Sequence, residues 1–270
     1  MVDPAVDRAG AAGIYNVLMA TTIRRDLTRW RSVGSRLARE ALLVVGAYLA
    51  YEAVRRLVAP DSPEAFARAM NVIRFEQRLG IFYEPSLQRH IIDHDWLVTL
   101  CNWVYVWGYL PVICLAGLYL YVLHRDSYAR YRNAFLLSGA VGLLVFATLP
   151  VAPPRMFPEF GFVDTVRDNS VVYAQFEGSD LVNEFAAMPS FHFGWTLLVG
   201  IAILRTSRRL AMRMAGAVLP PAMLASIVLT ANHYVVDALA GAAIVLLALL
   251  AVCAAERGTA RLRRPTPALR

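Results

Sequence analysis

The sequence predicts an all-α polytopic membrane protein with six transmembrane helices, and three observations predict it. The chain is 58% hydrophobic with a mean hydropathy of +0.48, more apolar side chain than a soluble domain of 270 residues needs. Its charged residues, 17% of the total, are confined to blocks between apolar runs. Finally, the arginine-rich blocks fall on alternate connections, as spans that cross and recross a bilayer require.

Residues 1–40 form a basic N-terminal segment. From Ile14 to Arg39, Val17, Leu18, Ile23, Leu27, Trp30, Val33 and Leu37 alternate with arginines, a pattern that suits an interfacial helix on anionic lipid. The same residues also suit a disordered basic tail. They hold no apolar core of a cleavable signal. The membrane domain then spans 41–253. Its apolar stretches run from Ala41 to Val58, Trp96 to Leu123, Asn133 to Pro150, Pro189 to Leu204, Ala211 to Thr230 and His233 to Cys253. Most approach the roughly 20 residues that a helix needs to cross hydrocarbon. The first and fourth are short, and the first contains Glu52. A basic tail follows at 254–270. Between the first two spans, Phe66 to Leu79 is weakly amphipathic, with Val72, Ile73, Phe75 and Leu79 among charges, and is expected to lie on the outer surface.

Charge orients the bundle. Arginines cluster before span one (Arg24, Arg25, Arg29, Arg31, Arg36, Arg39), between spans two and three (Arg125, Arg130, Arg132), between four and five (Arg205, Arg208, Arg209), and after six (Arg257, Arg261, Arg263, Arg264). Segment 151–188 instead carries Glu159, Asp164, Asp168, Glu177, Asp180 and Glu184 against Arg155 and Arg167. Six spans with both termini cytoplasmic put every basic block on one side, whereas five or seven break the alternation. The net charge of +7 therefore reads as topology rather than nucleic-acid binding. Cys101, Cys114 and Cys253 lie in apolar spans and read as small core residues rather than a disulfide frame or a metal site.

The polar residues left over sit at one end of these spans. Arg155 follows span three within Pro150-Val151-Ala152-Pro153-Pro154-Arg155, where prolines keep the chain out of helix. His192 lies in the first turn of span four, in Met188-Pro189-Ser190-Phe191-His192, with Pro189 suited to a first helical position. That turn offers unpaired N–H groups to an anion. His233 and Asp237 open span six in Asn232-His233-Tyr234-Val235-Val236-Asp237. Four residues apart, they share a helix face, so the carboxylate can hold one imidazole nitrogen while the other attacks. The plainer alternative is a helix-capping Asn followed by a packed His.

The order Arg, then Pro-Ser-x-His, then His-x-x-x-Asp resembles the type 2 phosphatidic acid phosphatase superfamily, and within it the branch related to inositol phosphorylceramide synthase. The likeness is carried by Phe185-Ala186-Ala187-Met188-Pro189-Ser190-Phe191-His192 and His233-Tyr234-Val235-Val236-Asp237-Ala238-Leu239-Ala240-Gly241, supported by Pro153-Pro154-Arg155. It implies a phosphatidic acid phosphatase type 2-like helical bundle acting on a lipid phosphate ester, from a phospholipid or an isoprenoid phosphate, with no cofactor and no metal. It implies further that His233 is the nucleophile, that Asp237 orients it, and that His192 protonates the leaving oxygen. Arg155 and Ser190 would bind phosphoryl oxygens.

The chain departs from the family pattern at three positions. Thr148 stands where typical members have a Lys, Ile227 where they have an Arg, and Phe191 where they have a Gly; Ser226 matches. With two phosphate-binding cations missing, Arg167, Arg55 or Arg56 would have to substitute, and transfer from a diester is favoured over monoester hydrolysis. Phe191 would shape an acceptor pocket or simply pack. Two rival functions are a transporter using Glu52, Asn102 and Tyr105, and a metal-dependent hydrolase built on His192, His233 and Asp237. A non-catalytic family member is a third. The expectation is an integral membrane phosphotransferase or phosphatase with an extracytoplasmic site. The aromatic residues Phe157, Phe160, Phe162, Tyr173 and Phe176 are expected to cover its entrance or to form a small loop core.

Overall fold

A computed structural model describes residues 34–35, 38–54, 56, 63–165 and 185–262. Two compact units are distinguished, Met1–Glu52 and Ala53–Arg270. Helix α1, over 38–54, carries most of the described part of the first unit, with Leu42, Val44, Val45, Tyr48 and Leu49 exposed. The interfacial helix expected from Ile14 lies largely outside the described residues. So do Arg55, Arg167, Tyr173, Phe176 and the tail beyond 262.

The second unit is helical: α2 Pro63–Leu79, α3 Glu84–Arg89, α4 Asp95–Trp107, α5 Leu110–Leu123, α6 Arg125–Thr148, α7 Phe191–Thr206, α8 Leu210–Leu229 and α9 Val235–Leu262. Among the described residues, α6, α8 and α9 are long and apolar enough to cross a membrane. Helices α4 and α5 pass together as a pair bent by 46°. The break falls at Tyr109, whose backbone is non-helical, and Pro111 in the first turn of α5 cannot donate back to α4. Among the described residues that gives three candidate spans, or four with the bent pair as one, of the six expected. The fourth expected span is the 16-residue α7. It is short because residues 185–190 run as a packed, non-helical lead-in instead of extending it. The first expected span is only partly described.

Helix α7 is the hub. A Cβ on Gly194 would meet the Gly241 carbonyl oxygen at 2.8 Å, and one on Gly241 would collide with the Ser190 backbone, so α7 and α9 touch main chain to main chain. Gly200 and Gly216 allow the same approach between α7 and α8. At the opposite end from these motifs, Arg130 of α6 pairs with Glu256 of α9 at 2.7 Å.

Hydrogen bonds tie several of the described connecting residues to the helices and to each other. The Val151 N–H donates to Phe185 and the Ala187 N–H to Val151, at 2.9 and 3.2 Å, forming a short parallel bridge between the chain after α6 and the chain before α7. The Ala152 N–H donates to Ala65 of α2. Gln88 exchanges two hydrogen bonds with the Val163 backbone, and Asn102 donates to the Thr165 carbonyl. Under this mesh, Ala65, Ala69 and Ile73 of α2 bury themselves with Phe157, Phe162, Phe185 and Tyr234. The buried face of α2 thus takes in Ile73 and, at its margin, Val72 from the apolar pattern. Phe75 and Leu79 are exposed, while small residues and Glu76 face inward. Phe157 and Phe162 are buried in this shared core.

Candidate active site

The side chains of Arg155, Ser190, His192, His233 and Asp237 converge where the lead-ins of α7 and α9 meet the turn after α6. Arg155 lies in a 3₁₀ turn, Pro154–Met156, that the Arg155 N–H ties to the Ala231 carbonyl at 2.8 Å. Its guanidinium is nearly buried. Nη1 donates to Asn232 Oδ1 at 2.9 Å, and Nε stands 3.2 Å from Asp164 Oδ2. Asn232 also donates to Thr230, so its side chain serves the arginine rather than the end of a helix.

Ser190 is the N-cap of α7, its hydroxyl accepting from the Phe193 N–H at 3.5 Å, and its own N–H donates to the Asp237 carbonyl at 2.9 Å. Pro189 thus precedes the cap instead of occupying the first helical position, because the serine hydroxyl takes over an N–H of the first turn. His192 is held between two aromatic faces, Tyr105 at 4.3 Å and Tyr109 at 4.0 Å between ring centroids, with His233 5.6 Å away.

His233 lies in the turn before α9, not on the helix. Its closeness to Asp237 does not come from a shared helix face. It arises because Asp237, three residues into the helix, reaches back to accept the Tyr234 N–H at 2.9 Å, the acidic half of a capping box. The nearest partner of His233 Nδ1 is the Ala187 carbonyl at 2.8 Å, while Asp237 Oδ2 is at 3.6 Å, beyond hydrogen-bond length. A carbonyl only accepts, so Nδ1 donates, and in the neutral ring Nε2 keeps its lone pair.

The three departures from the family pattern are resolved by packing. Thr148 is exposed and bonds back to Leu144 in its own helix. Ile227 is fully buried with Met223, Val228 and Ala238. Phe191 is buried against Phe146 and Trp195, its ring filling the space over Gly142 where a Cβ would collide. Ser226 donates to the Cys101 carbonyl at 2.6 Å, locking α8 to α4. Arg56 is described and exposed.

Several participants carry no motif. The Ala187 carbonyl is a main-chain atom, Asp164 sits in a loop, and Tyr105 and Tyr109 read as ordinary span residues. Two buried acids, Glu76 and Glu84, accept from the Val236 and Val235 N–H groups at 2.9 and 3.0 Å. An acid inside a stretch otherwise read as amphipathic is the one signal that could have pointed to Glu76.

Comparison with protein families matches the chain to a family model described as the PAP2 superfamily, over residues 70–251. Comparison with curated proteins gives no match, and comparison with solved structures gives none.

Proposed function

The chain belongs to the PAP2 superfamily, and from that premise we propose that it is an integral membrane enzyme that moves a lipid phosphate ester through a phosphohistidine on His233, with its site on the extracytoplasmic face. The observation that carries the reading is the 2.8 Å contact of His233 Nδ1 with the Ala187 carbonyl, which leaves Nε2 available for attack.

In the first step Nε2 attacks phosphorus and the bond to the leaving oxygen breaks, that oxygen taking a proton from His192. In the second, an acceptor hydroxyl gives its proton back to His192, its oxygen attacks phosphorus, and the N–P bond breaks. Arg155 and the N-terminal turn of α7 hold the phosphoryl oxygens. Tyr105 and Tyr109 orient the acid ring.

We favour transfer of a phosphodiester-derived group, as in the branch related to inositol phosphorylceramide synthase, over monoester hydrolysis. Thr148 and Ile227 supply no cation, and a singly charged diester tolerates that loss better than a doubly charged monoester. The test measures inorganic phosphate and transferred headgroup in parallel, with inositol phospholipid as donor and mixed lipid alcohols as acceptors. Rapid phosphate release from a lipid monoester without a transfer product overturns the preference. Activity lost in chelator and restored by a divalent ion favours the metal-dependent reading, and transport without product favours a transporter.

A further inference from the structure

Helix α9 starts one residue after the turn that carries His233, and three successive N–H groups there each meet a carboxylate. Tyr234 donates to Asp237, Val235 to Glu84 and Val236 to Glu76, all at 2.9–3.0 Å. Two of the three acids come from other helices, α3 and α2, and all three are fully buried. Each of these two spends Oε1 on the helix. Glu76 Oε2 and Glu84 Oε2 are buried without a hydrogen-bond partner, and the two carboxyls sit on successive N–H groups of the same helix turn.

Two fully buried carboxylates on adjacent N–H groups, each with an unpartnered oxygen, repel one another unless a proton neutralises one of them. Nor does a metal answer the arrangement, since no three His, Cys, Asp or Glu among the described residues are placed to hold one. We infer that Glu76 and Glu84 share a single proton, forming a buried acid–carboxylate pair that closes the N-terminus of α9 and holds the His233 turn in register with Ala187. The pair keeps one negative charge at the helix N-terminus, where the dipole favours it, and avoids a second beside Asp237. These are positioning residues, and their catalytic weight rests on His233 being the nucleophile.

Burial raises the Glu76 carboxyl to about 9, and the neighbouring Glu84 adds to the shift. The ionisable groups around it are Glu84 on α3 and Tyr234 and Asp237 at the head of α9, and burial raises the Tyr234 phenol as well. The folded chain therefore holds a proton that the unfolded chain, with an ordinary glutamate near 4.5, releases. Stability from that proton is full below the unfolded value and is lost as pH rises towards the folded one.

The experiment uses the full chain in an ester-free detergent. Infrared difference spectra should show the carbonyl stretch of a protonated, buried carboxyl at neutral pH, absent in both Glu76→Gln and Glu84→Gln and kept in Asp237→Asn. Either glutamine retains an acceptor for the helix and a donor for its partner, so each should keep kcat within about threefold, whereas Glu76→Ala or Glu84→Ala should lose about tenfold or more in kcat with KM moved less. The unfolding midpoint of Glu76→Gln, which cannot titrate, should rise relative to wild type between about pH 5 and about pH 9. A wild type without the band, or a band surviving in both glutamine variants, overturns the shared proton. Alanine variants as active as wild type overturn the positioning role. Full activity in His233→Ala removes the nucleophile instead and leaves the infrared result standing.

Discussion

Asp237 stands 3.6 Å from Nδ1 of His233, farther than the Ala187 carbonyl at 2.8 Å, and spends its Oδ2 on the Tyr234 N–H. The carboxylate is thus a cap on α9 first and an electrostatic neighbour of the imidazole second. His233→Ala should abolish turnover and any acid-labile phosphoprotein. Asp237→Asn keeps an acceptor for Tyr234 and should lose about ten- to a hundredfold in kcat, while Asp237→Ala should also lower the unfolding midpoint. Steady-state kinetics with thermal unfolding separate the cases, and a fully active His233→Ala would dismiss the nucleophile.

Arg155→Lys should fail although the charge is kept. A point charge cannot bridge Asn232 and Asp164 as the planar guanidinium does, so kcat/KM should fall by about a hundredfold or more. Asn232→Leu, which strands one of those donors, should show a smaller loss of the same kind. If the lysine enzyme matched wild type, Arg155 would not be a phosphate fork.

Phe191 is buried against Phe146 and Trp195. Its ring occupies the space above Gly142, so Phe191→Ala should cost about 3–5 kcal/mol of stability. The same cavity should leave acceptor preference unchanged in whatever folded enzyme remains. A changed ranking of acceptor alcohols at unchanged stability would contradict this.

Topology is tested at the two ends of the bundle. In a background lacking Cys101, Cys114 and Cys253, a cysteine at exposed Glu159 should react with an impermeant thiol reagent in intact cells, and one at exposed Arg208 only after permeabilisation. The reverse pattern would turn the site to the cytoplasm.

How far the sequence foretold the fold depends on what each element faces. Helices α6, α8 and α9 were legible because length and apolar content alone mark a span. The α4–α5 bend was hidden inside one apolar run from Trp96 to Leu123, where Pro111 does not interrupt hydropathy. Helix α2 was legible as a weakly amphipathic piece, but which residues it buries was not: Phe75 and Leu79 are exposed while Ala65, Ala69, Ile73 and Glu76 face inward. Within the candidate site, Arg155, Ser190, His192, His233 and Asp237 could be singled out in the sequence because each belongs to a spaced motif. The Ala187 carbonyl was not, since every residue has one, and Glu84 was not, since a glutamate beside Pro85 in a polar loop announces nothing.

The close approach of Gly241 to the Ser190 backbone bears on how the protein tolerates different membranes. Where two helices meet through side chains, a thinner or thicker bilayer that changes their tilt can repack the rotamers between them and alter their separation. Here main chain meets main chain, and no rotamer lies between the two segments bearing His192 and His233. Tilting therefore carries both histidines together as one body, so their spacing should be largely insensitive to lipid chain length.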